Sequence, residues 1–232
     1  MPTLRLLSYN IRSMRDDRAA LVRVITGAEA DIVVVQEAPR FLRWRSTCAA
    51  LARRSGLVVV GGGRPAGANL IMSTLSVDVD AVHDVAFSTD PRLHHRGTAI
   101  AVLRTRGARF AVAGTHLDVM PEPRLRHVGE LHAAIDRLVP AGVPSIVAAD
   151  VNDRPGSPSW NALTAVRTDT FAALGIDDDP LSFTSTAADA HQRIDGVFVD
   201  RSITVRSGKV LDDADVLVAS DHRPLLVELE LP

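Results

Sequence analysis

Cysteine is almost missing from this chain: the 232 residues contain one, Cys48, so no internal disulfide can form. Aromatic residues make up only 4%, with Trp44 and Trp160 the sole indoles, which leaves little material for base-stacking platforms or wedging side chains. No uncharged apolar run approaches the roughly 18 residues needed to span a bilayer. Nothing at the N-terminus has the basic, apolar and small-residue regions of a secretory signal, so the expected setting is a reducing cytoplasm. Lysine is scarce as well: of 26 basic residues only Lys209 is lysine, which with abundant Ala and Val reads as coding bias and carries no function. No Gly-x-Ser-x-Gly elbow occurs, and Gly61-Gly62-Gly63 lacks the Gly-Lys-Ser/Thr ending of a phosphate-cradling loop.

What is present suits one compact domain over residues 1–232: 46% hydrophobic residues, 15 Gly, 13 Pro, no internal repeat and no low-complexity linker. Net charge is −2 but unevenly spread. Residues 1–60 carry ten Arg against five acids, and residues 176–232 carry twelve acids against five bases. The first part could touch phosphates and the last could hold a cation, although most such charges are ordinary solvated surface.

Apolar periodicity gives an alternating series of strands and helices. Leu4 to Tyr9 reads as a strand ending at Asn10, and Leu21 to Ala28 as a helix behind Asp16-Asp17. Ile32-Val33-Val34-Val35 is a strand covered on both faces that runs into Gln36-Glu37. Phe41 to Arg54 has helical spacing, with its arginines on a solvated face. Asn69–Ser73 and Ser76–His83 read as the two strands of a hairpin, followed by a polar loop, residues 88–97, carrying His94, His95 and Arg96. Thr98–Arg104 and Phe110–His116 are strands joined at Gly107, and Asp118 would share a face with His116 if the second strand persisted. An amphipathic helix follows over Leu125–Leu138, then a buried strand, Val143–Ala149, ending in Asp150-Val151-Asn152. Ser157-Pro158 can open a short helix. Residues 168–180 read as a loop with a solvated acidic run, 177–179. Asp195 opens a further strand, and Ser220-Asp221-His222 precedes the last one, Leu225–Leu231.

Polar groups therefore sit at the ends of six strand-like runs: Asn10, Glu37, His116, Asp150 with Asn152, Asp195, and Asp221 with His222. Each alone is better explained as a cap or turn. Together, at one edge of a sheet whose strands lie about 5 Å apart, they would converge. The set is rich in oxygen donors and has no cysteine, which suits Mg²⁺ or Mn²⁺ over zinc. Ser220-Asp221-His222 has the residue types of a nucleophilic triad, but three consecutive residues cannot form its relay.

In order, Ser-Tyr-Asn10-Ile, Gln36-Glu37, Gly-Thr-His116-Leu, Ala-Asp150-Val-Asn152, Arg193-Ile-Asp195 and Ser-Asp221-His222 resemble the blocks of the endonuclease/exonuclease/phosphatase superfamily, over residues 8–222. Asn69 in Gly-Ala-Asn-Leu-Ile-Met-Ser and Arg96-Gly97 resemble intermediate blocks that would face substrate. The resemblance implies an α/β fold, a four-layer α/β/β/α sandwich of two mixed sheets flanked by helices, with the site at one edge. It also implies roles. Glu37 would be the main metal carboxylate, supported by Asn10, with Asp221 near the metal directly or through water. Asp150 would orient or deprotonate the attacking water, and Asn152 would hold a phosphate oxygen. His222, fixed by Asp195, would bind phosphate and stabilise its developing charge; His116 would be a second phosphate contact or the proton donor to the leaving oxygen. Two departures stand out: Ala149-Asp150-Val151-Asn152 replaces the usual Gly-Asp-Phe-Asn, and His127 stands where Gln is frequent. Neither removes a chemical group from the set.

The expected activity is metal-dependent hydrolysis of a phosphoester, foremost a nucleic-acid backbone of DNA or RNA, for which Arg12, Arg15, Arg18, Arg43, Arg45 and Arg96 could follow the phosphates. Few aromatics favour simple backbone cleavage over abasic-site repair. The alternatives are a phosphatase or phosphodiesterase of lipid, sugar or other small phosphates, and a noncatalytic metal-binding interaction module. No obligate protein partner is evident.

Overall fold

The computed structural model describes residues 1–89, 94–177 and 179–232. Parts of the expected polar loop, residues 90–93, and of the acidic run, residue 178, lie outside the described residues. In chain order the elements are β1 (Thr3–Asn10), α1 (Arg18–Gly27), β2 (Ile32–Gln36), α2 (Trp44–Arg54), β3 (Val58–Gly63), β4 (Asn69–Ser73), β5 (Asp78–Ala86), β6 (Gly97–Thr105) and β7 (Ala108–His116). There follow α3 (Pro121–Leu138), β8 (Ser145–Asp150), α4 (Pro158–Val166), β9 (Thr168–Asp169), α5 (Thr170–Leu174), β10 (Asp195–Val199), β11 (Thr204–Val210), α6 (Val216–Ala219) and β12 (Leu225–Glu230).

Local chemistry sets several of these boundaries. Asp17 caps α1 by accepting from the backbone N–H groups of Ala19 and Ala20 at 2.8 and 3.0 Å. Ser157 caps α4 through Trp160 N, and Pro158 occupies its first turn. The second helix starts at Trp44 rather than Phe41, because Arg43 takes a left-handed conformation with φ 61° and breaks the helical run.

The strands form two six-stranded sheets, ordered β11-β12-β1-β2-β4-β3 and β5-β6-β7-β8-β10-β9. Both are mixed, with β1 parallel to β2 and antiparallel to β12, and β7 parallel to β8 and antiparallel to β6. One apolar core fills the gap between the sheets and draws on Leu4, Leu6, Val34, Val112, Ile146 and Val197. A second joins the outer face of the first sheet, through Leu7, Tyr9, Val33 and Val35, to Leu21, Val24 and Leu51 of the helices. A third joins Ala113, Val147 and Phe198 to Leu131, Ile135, Trp160 and Leu163. The result is the four-layer α/β/β/α sandwich. Among the described residues no helix is long and apolar enough to cross a membrane.

The expected hairpin of residues 69–73 and 76–83 does not exist. β4 pairs with β2 and β3, whereas β5 lies at the edge of the other sheet against β6, so the chain crosses between sheets at residues 74–77. Two adjacent apolar runs look alike whether they pair with each other or with distant strands. The stretch expected as a loop over 168–180 holds β9 and α5, with Asp169 capping α5 through Phe171 N.

Alternation along the strands decides where the polar ends point. In β1, Leu4 and Leu6 face the gap between the sheets, so Asn10 has the same parity. Likewise His116 follows Phe110 and Val112, Asp150 follows Ile146 and Ala148, and Asp195 precedes Val197 and Val199. Four polar side chains from both sheets are thus aimed into one gap. A polar group in such a place costs roughly 1–3 kcal/mol unless it is hydrogen-bonded, so they must satisfy one another.

Candidate active site

At the mouth of the gap, Asn10 bridges the two sheets. Its Nδ2 donates to Asp150 Oδ2 at 2.8 Å and lies 3.5 Å from Glu37 Oε1, while its Oδ1 accepts from Arg12 N at 3.0 Å. The bond from Arg12 fixes which end of the amide faces the carboxylates. Glu37 follows β2 with φ 52°, a left-handed conformation unusual for a residue with a side chain, and this turns its carboxylate toward Asn10. Ser220 Oγ donates to Asn10 O at 2.7 Å, tying the last loop to the first strand.

Register brings the second sheet's groups side by side, with His116 opposite Asp150 and Asp195 opposite Asp150. His222 Nδ1 lies 2.9 Å from Asp195 Oδ2, and its Nε2 lies 3.9 Å from Asp150 Oδ2. Burial works against a charge on His222, but Asp195, Asp150, the hydrogen bond to Asp195 and Asp221 together outweigh it and raise its pKa to about 10. It is an imidazolium at neutral pH. His116 has the opposite fate: burial lowers it to about 3 despite Asp150, with Arg96, His222 and His94 adding to the fall, so it is neutral.

His116 Nε2 lies 2.8 Å from Asn152 Nδ2 and 3.3 Å from Asp150 Oδ2. Those contacts demand opposite states, since Nε2 must accept from the amide or donate to the carboxylate. The shorter distance and the neutral ring favour acceptance from Asn152. Asn152 itself has φ 53°, donates its backbone N–H to Asp150 Oδ1 at 3.1 Å and its amide to Leu117 O at 3.0 Å.

Ten candidates from the sequence can now be placed. Asn10, Glu37, His116, Asp150, Asn152, Asp195 and His222 form one connected cluster. Asp221 stands at its edge, half-exposed, with Oδ2 held 3.2 Å from Arg12 Nε. His222 turns instead to Asp195. Arg96 is buried, its Nε has no partner among the described residues, and desolvation pulls its pKa down against the nearby charges of Asp150, Asp118 and Glu37. Asn69 is 0% exposed and its Nδ2 donates to Ala66 O and Gly97 O at 2.7 and 3.0 Å, so it anchors the residue after Arg96. Asp118 is outside the cluster: β7 ends at His116, and the Asp118 carboxylate accepts from Met120 N at 2.8 Å.

The donor set fits a hard divalent cation. Glu37 and Asp150 converge on a single amide nitrogen at the place where the two sheets meet, and oxygen dominates the available ligands. Asp150, Asp195 and His222 also bring possible ligand atoms within 4.8 Å of one another. That trio would have to strip a proton from an imidazole held charged by two carboxylates, which disfavours it as the resting ligand set.

Two arrangements were not visible in the sequence. Arg12 meets Asp221 across more than 200 residues of chain, which no local pattern signals. The arginines of residues 40–45, expected on a solvated helix face, with Arg43 and Arg45 also named as possible phosphate contacts, line a cleft of about 1010 Å³ together with Arg64 and Arg96, a grouping that spacing alone does not show. Phe41, 71% exposed, and Leu42, 93% exposed, were the available signal, since a solvated helix start has no need of them.

A model of the family described as "Endonuclease/Exonuclease/phosphatase family" matches residues 7–222. Among solved structures, the endonuclease/exonuclease/phosphatase from Bacteroides vulgatus superposes with a TM-score of 0.83 at 20% identity, covering 100% of both chains. A mannosyl-6-phosphatase from Bacteroides thetaiotaomicron gives 0.80 at 21% identity, covering 98% of this chain and 100% of the other. TDP2 of D. rerio complexed with a single-strand DNA product gives 0.78 at 17% identity, covering 99% and 100%. No curated protein sequence gives a significant match.

Proposed function

Because the chain belongs to the endonuclease/exonuclease/phosphatase family, and is with it a phosphoesterase, we propose that it is a divalent-metal-dependent phosphodiesterase that cleaves nucleic-acid backbones. The supporting observation is the cleft beside the acidic cluster. Arg40, Arg43, Arg45, Arg64 and Arg96 line it, and among the described residues no carboxylate does. The Arg45 guanidinium lies 4.3 Å from the Trp44 ring centroid, and Arg40 sits 5.4 Å over the exposed Phe41 ring. Guanidinium groups stacked on aromatic rings along one cleft suit a chain of repeating phosphates and bases. Arg96 belongs to this wall and also faces the charges of Asp150 and Glu37, so a strand following the cleft is led to the site.

Glu37 would hold the cation, with Asp221 on its water side; Asn10, whose amide nitrogen faces the carboxylates, would support Glu37 and Asp150 from behind, and Asp150 would orient and deprotonate the attacking water. The cation would supply charge neutralisation and alignment for in-line displacement. The His222 imidazolium, steadied by Asp195, would stabilise charge growing on the phosphate oxygens. Asn152, whose amide protons go to Leu117 O and His116 Nε2, would orient the His116 ring. Neutral His116, with one protonated nitrogen, would be the second phosphate contact.

A second reading, hydrolysis of a lipid phosphate, is favoured by the same exposed Phe41 and Leu42 beside arginines, which would suit an anionic interface. To decide, the protein is incubated with Mg²⁺ or Mn²⁺, and separately with a chelator, on single-stranded DNA, plasmid, RNA, bis-p-nitrophenyl phosphate, p-nitrophenyl phosphate and phospholipid vesicles. Metal-dependent cleavage of polynucleotide and diester, lost by orders of magnitude in folded Glu37→Gln and His222→Ala, is the expected result. Turnover confined to the monoester or to vesicles would defeat the nuclease reading. Unchanged turnover in both variants would remove the site assignment.

A further inference from the structure

We propose that Arg124 is a positioning residue for the phosphate side of the site: its guanidinium ties the loop after β7 to the loop after β8 and thereby holds the Asn152 amide against His116. Arg124 lies near the start of α3 and is 7% exposed. Nη1 donates to Asn152 O at 2.7 Å, Val119 O at 3.0 Å and Asp118 O at 3.4 Å. Nε donates to Ser159 Oγ at 3.3 Å, and Nη2 lies 2.6 Å from Asp153 Oδ2. Every nitrogen is engaged inside the protein, so this cation is not a substrate contact.

What it holds is a conformation that the chain resists. Asn152 has φ 53°, a left-handed conformation that Asn tolerates better than most residues but that persists where its surroundings hold it. Arg124 grips the carbonyl of that residue and the side chain of the next. With the backbone so fixed, the Asn152 amide nitrogen reaches Leu117 O at 3.0 Å and His116 Nε2 at 2.8 Å. An amide oxygen turned to Leu117 O would place two acceptors together, so the nitrogen must face that way. Its second proton then points at His116 Nε2. The His116 proton is left on Nδ1, facing Glu37 Oε1 at 3.9 Å. Release of the clamp would let Asn152 relax, and Nε2 could then take the proton and turn to Asp150. A lysine offers one point charge and cannot span carbonyls of both loops.

The kinetic arm of the test rests on the phosphoesterase reading; the spectroscopic arm does not. In metal-free protein with ¹⁵N-labelled histidine, the wild-type His116 ring should show one protonated and one unprotonated nitrogen. Arg124→Met should average the two, and Asn152→Ala should reproduce that signature. With bis-p-nitrophenyl phosphate, Arg124→Met should lower kcat about 10–100-fold while KM stays within about threefold. Ser159→Ala, which removes only the contact to α4, should keep the wild-type spectrum and rate; if it matched Arg124→Met, helix packing would explain the effect and the inference would fail. A folded Arg124→Met with the wild-type tautomer overturns it outright. Should that variant not fold, Arg124→Lys is read in its place, and a wild-type spectrum and rate there overturn it equally. Averaging without any diesterase activity would leave the positioning role standing and remove only the substrate reading.

Discussion

His222 and Asp195 meet at 2.9 Å although 27 residues separate them, with Asp195 at the first position of β10 and His222 in the loop before β12. The contact gives the ring a fixed direction and a charge. Because His222 is raised to about 10, its protonated form is favoured by the fold. The stability it contributes is therefore complete below the ordinary histidine pKa and is lost as pH rises through about 10. Asp195→Asn should bring the His222 titration down toward the ordinary range in metal-free protein, followed by ¹H–¹⁵N spectra of the ring. The same variant should lose diesterase turnover on the alkaline side first. A His222 titration unmoved by Asp195→Asn would break the assignment.

The basic cleft makes a separate prediction about salt. Arg43→Glu with Arg45→Glu should raise the KM for a single-stranded oligonucleotide and flatten the dependence of log KM on log salt by about one unit per lost phosphate contact. Turnover of bis-p-nitrophenyl phosphate, which is too small to lie along the cleft, should be unchanged. Equal losses on both substrates would mean that these arginines support the fold and not the polymer.

Cys48 offers a test of the helix layer. Its thiol is buried between α2 and the sheet, and burial raises its pKa to about 11 against a small opposing backbone hydrogen bond. At pH 8 it should remain a thiol and resist Ellman's reagent until the protein unfolds. Rapid labelling of the native protein at that pH would show that α2 is loosely docked.

Gly114 sets the spacing of the sandwich. A β-carbon there would come within 2.6 Å of Val34 Cγ1 on the opposing sheet. Gly114→Ala should destabilise the protein by about 1–3 kcal/mol, read from urea unfolding, because neither sheet can retreat without disturbing the core. A neutral effect would indicate a gap more pliable than the packing implies.

Much of this was legible in the chain. The polar groups at Asn10, Glu37, His116 and Asp150 mark where apolar strands stop and Asp195 where one starts, and such boundaries are what sequence periodicity reports well. Direction was harder to read. Most strands here are covered on both faces, so Val33 and Val34 look equivalent, and only packing reveals that one faces helices and the other faces the second sheet. Strand adjacency was hidden for a related reason, as the mistaken pairing of residues 69–73 with 76–83 shows. Contacts between loops, such as Arg12 with Asp221 or Arg124 with Asn152, depend on the assembled edge and leave no mark in local spacing. Asp118 went astray because the strand stopped two residues early and the carboxylate found a nearer N–H.

Asn10 spans the seam between two sheets, joining Glu37 of one half to Asp150 of the other. The proposed reactive centre is therefore a vernier across that seam. Each sheet can keep its own hydrogen-bonded ladder while the halves slip or breathe, and far-ultraviolet circular dichroism would scarcely register it. Turnover would register it at once, since ångström-scale errors at a reacting centre cost orders of magnitude in rate. In rising urea, activity should fade ahead of the loss of secondary structure, so that the enzyme reports the tightness of its own sandwich.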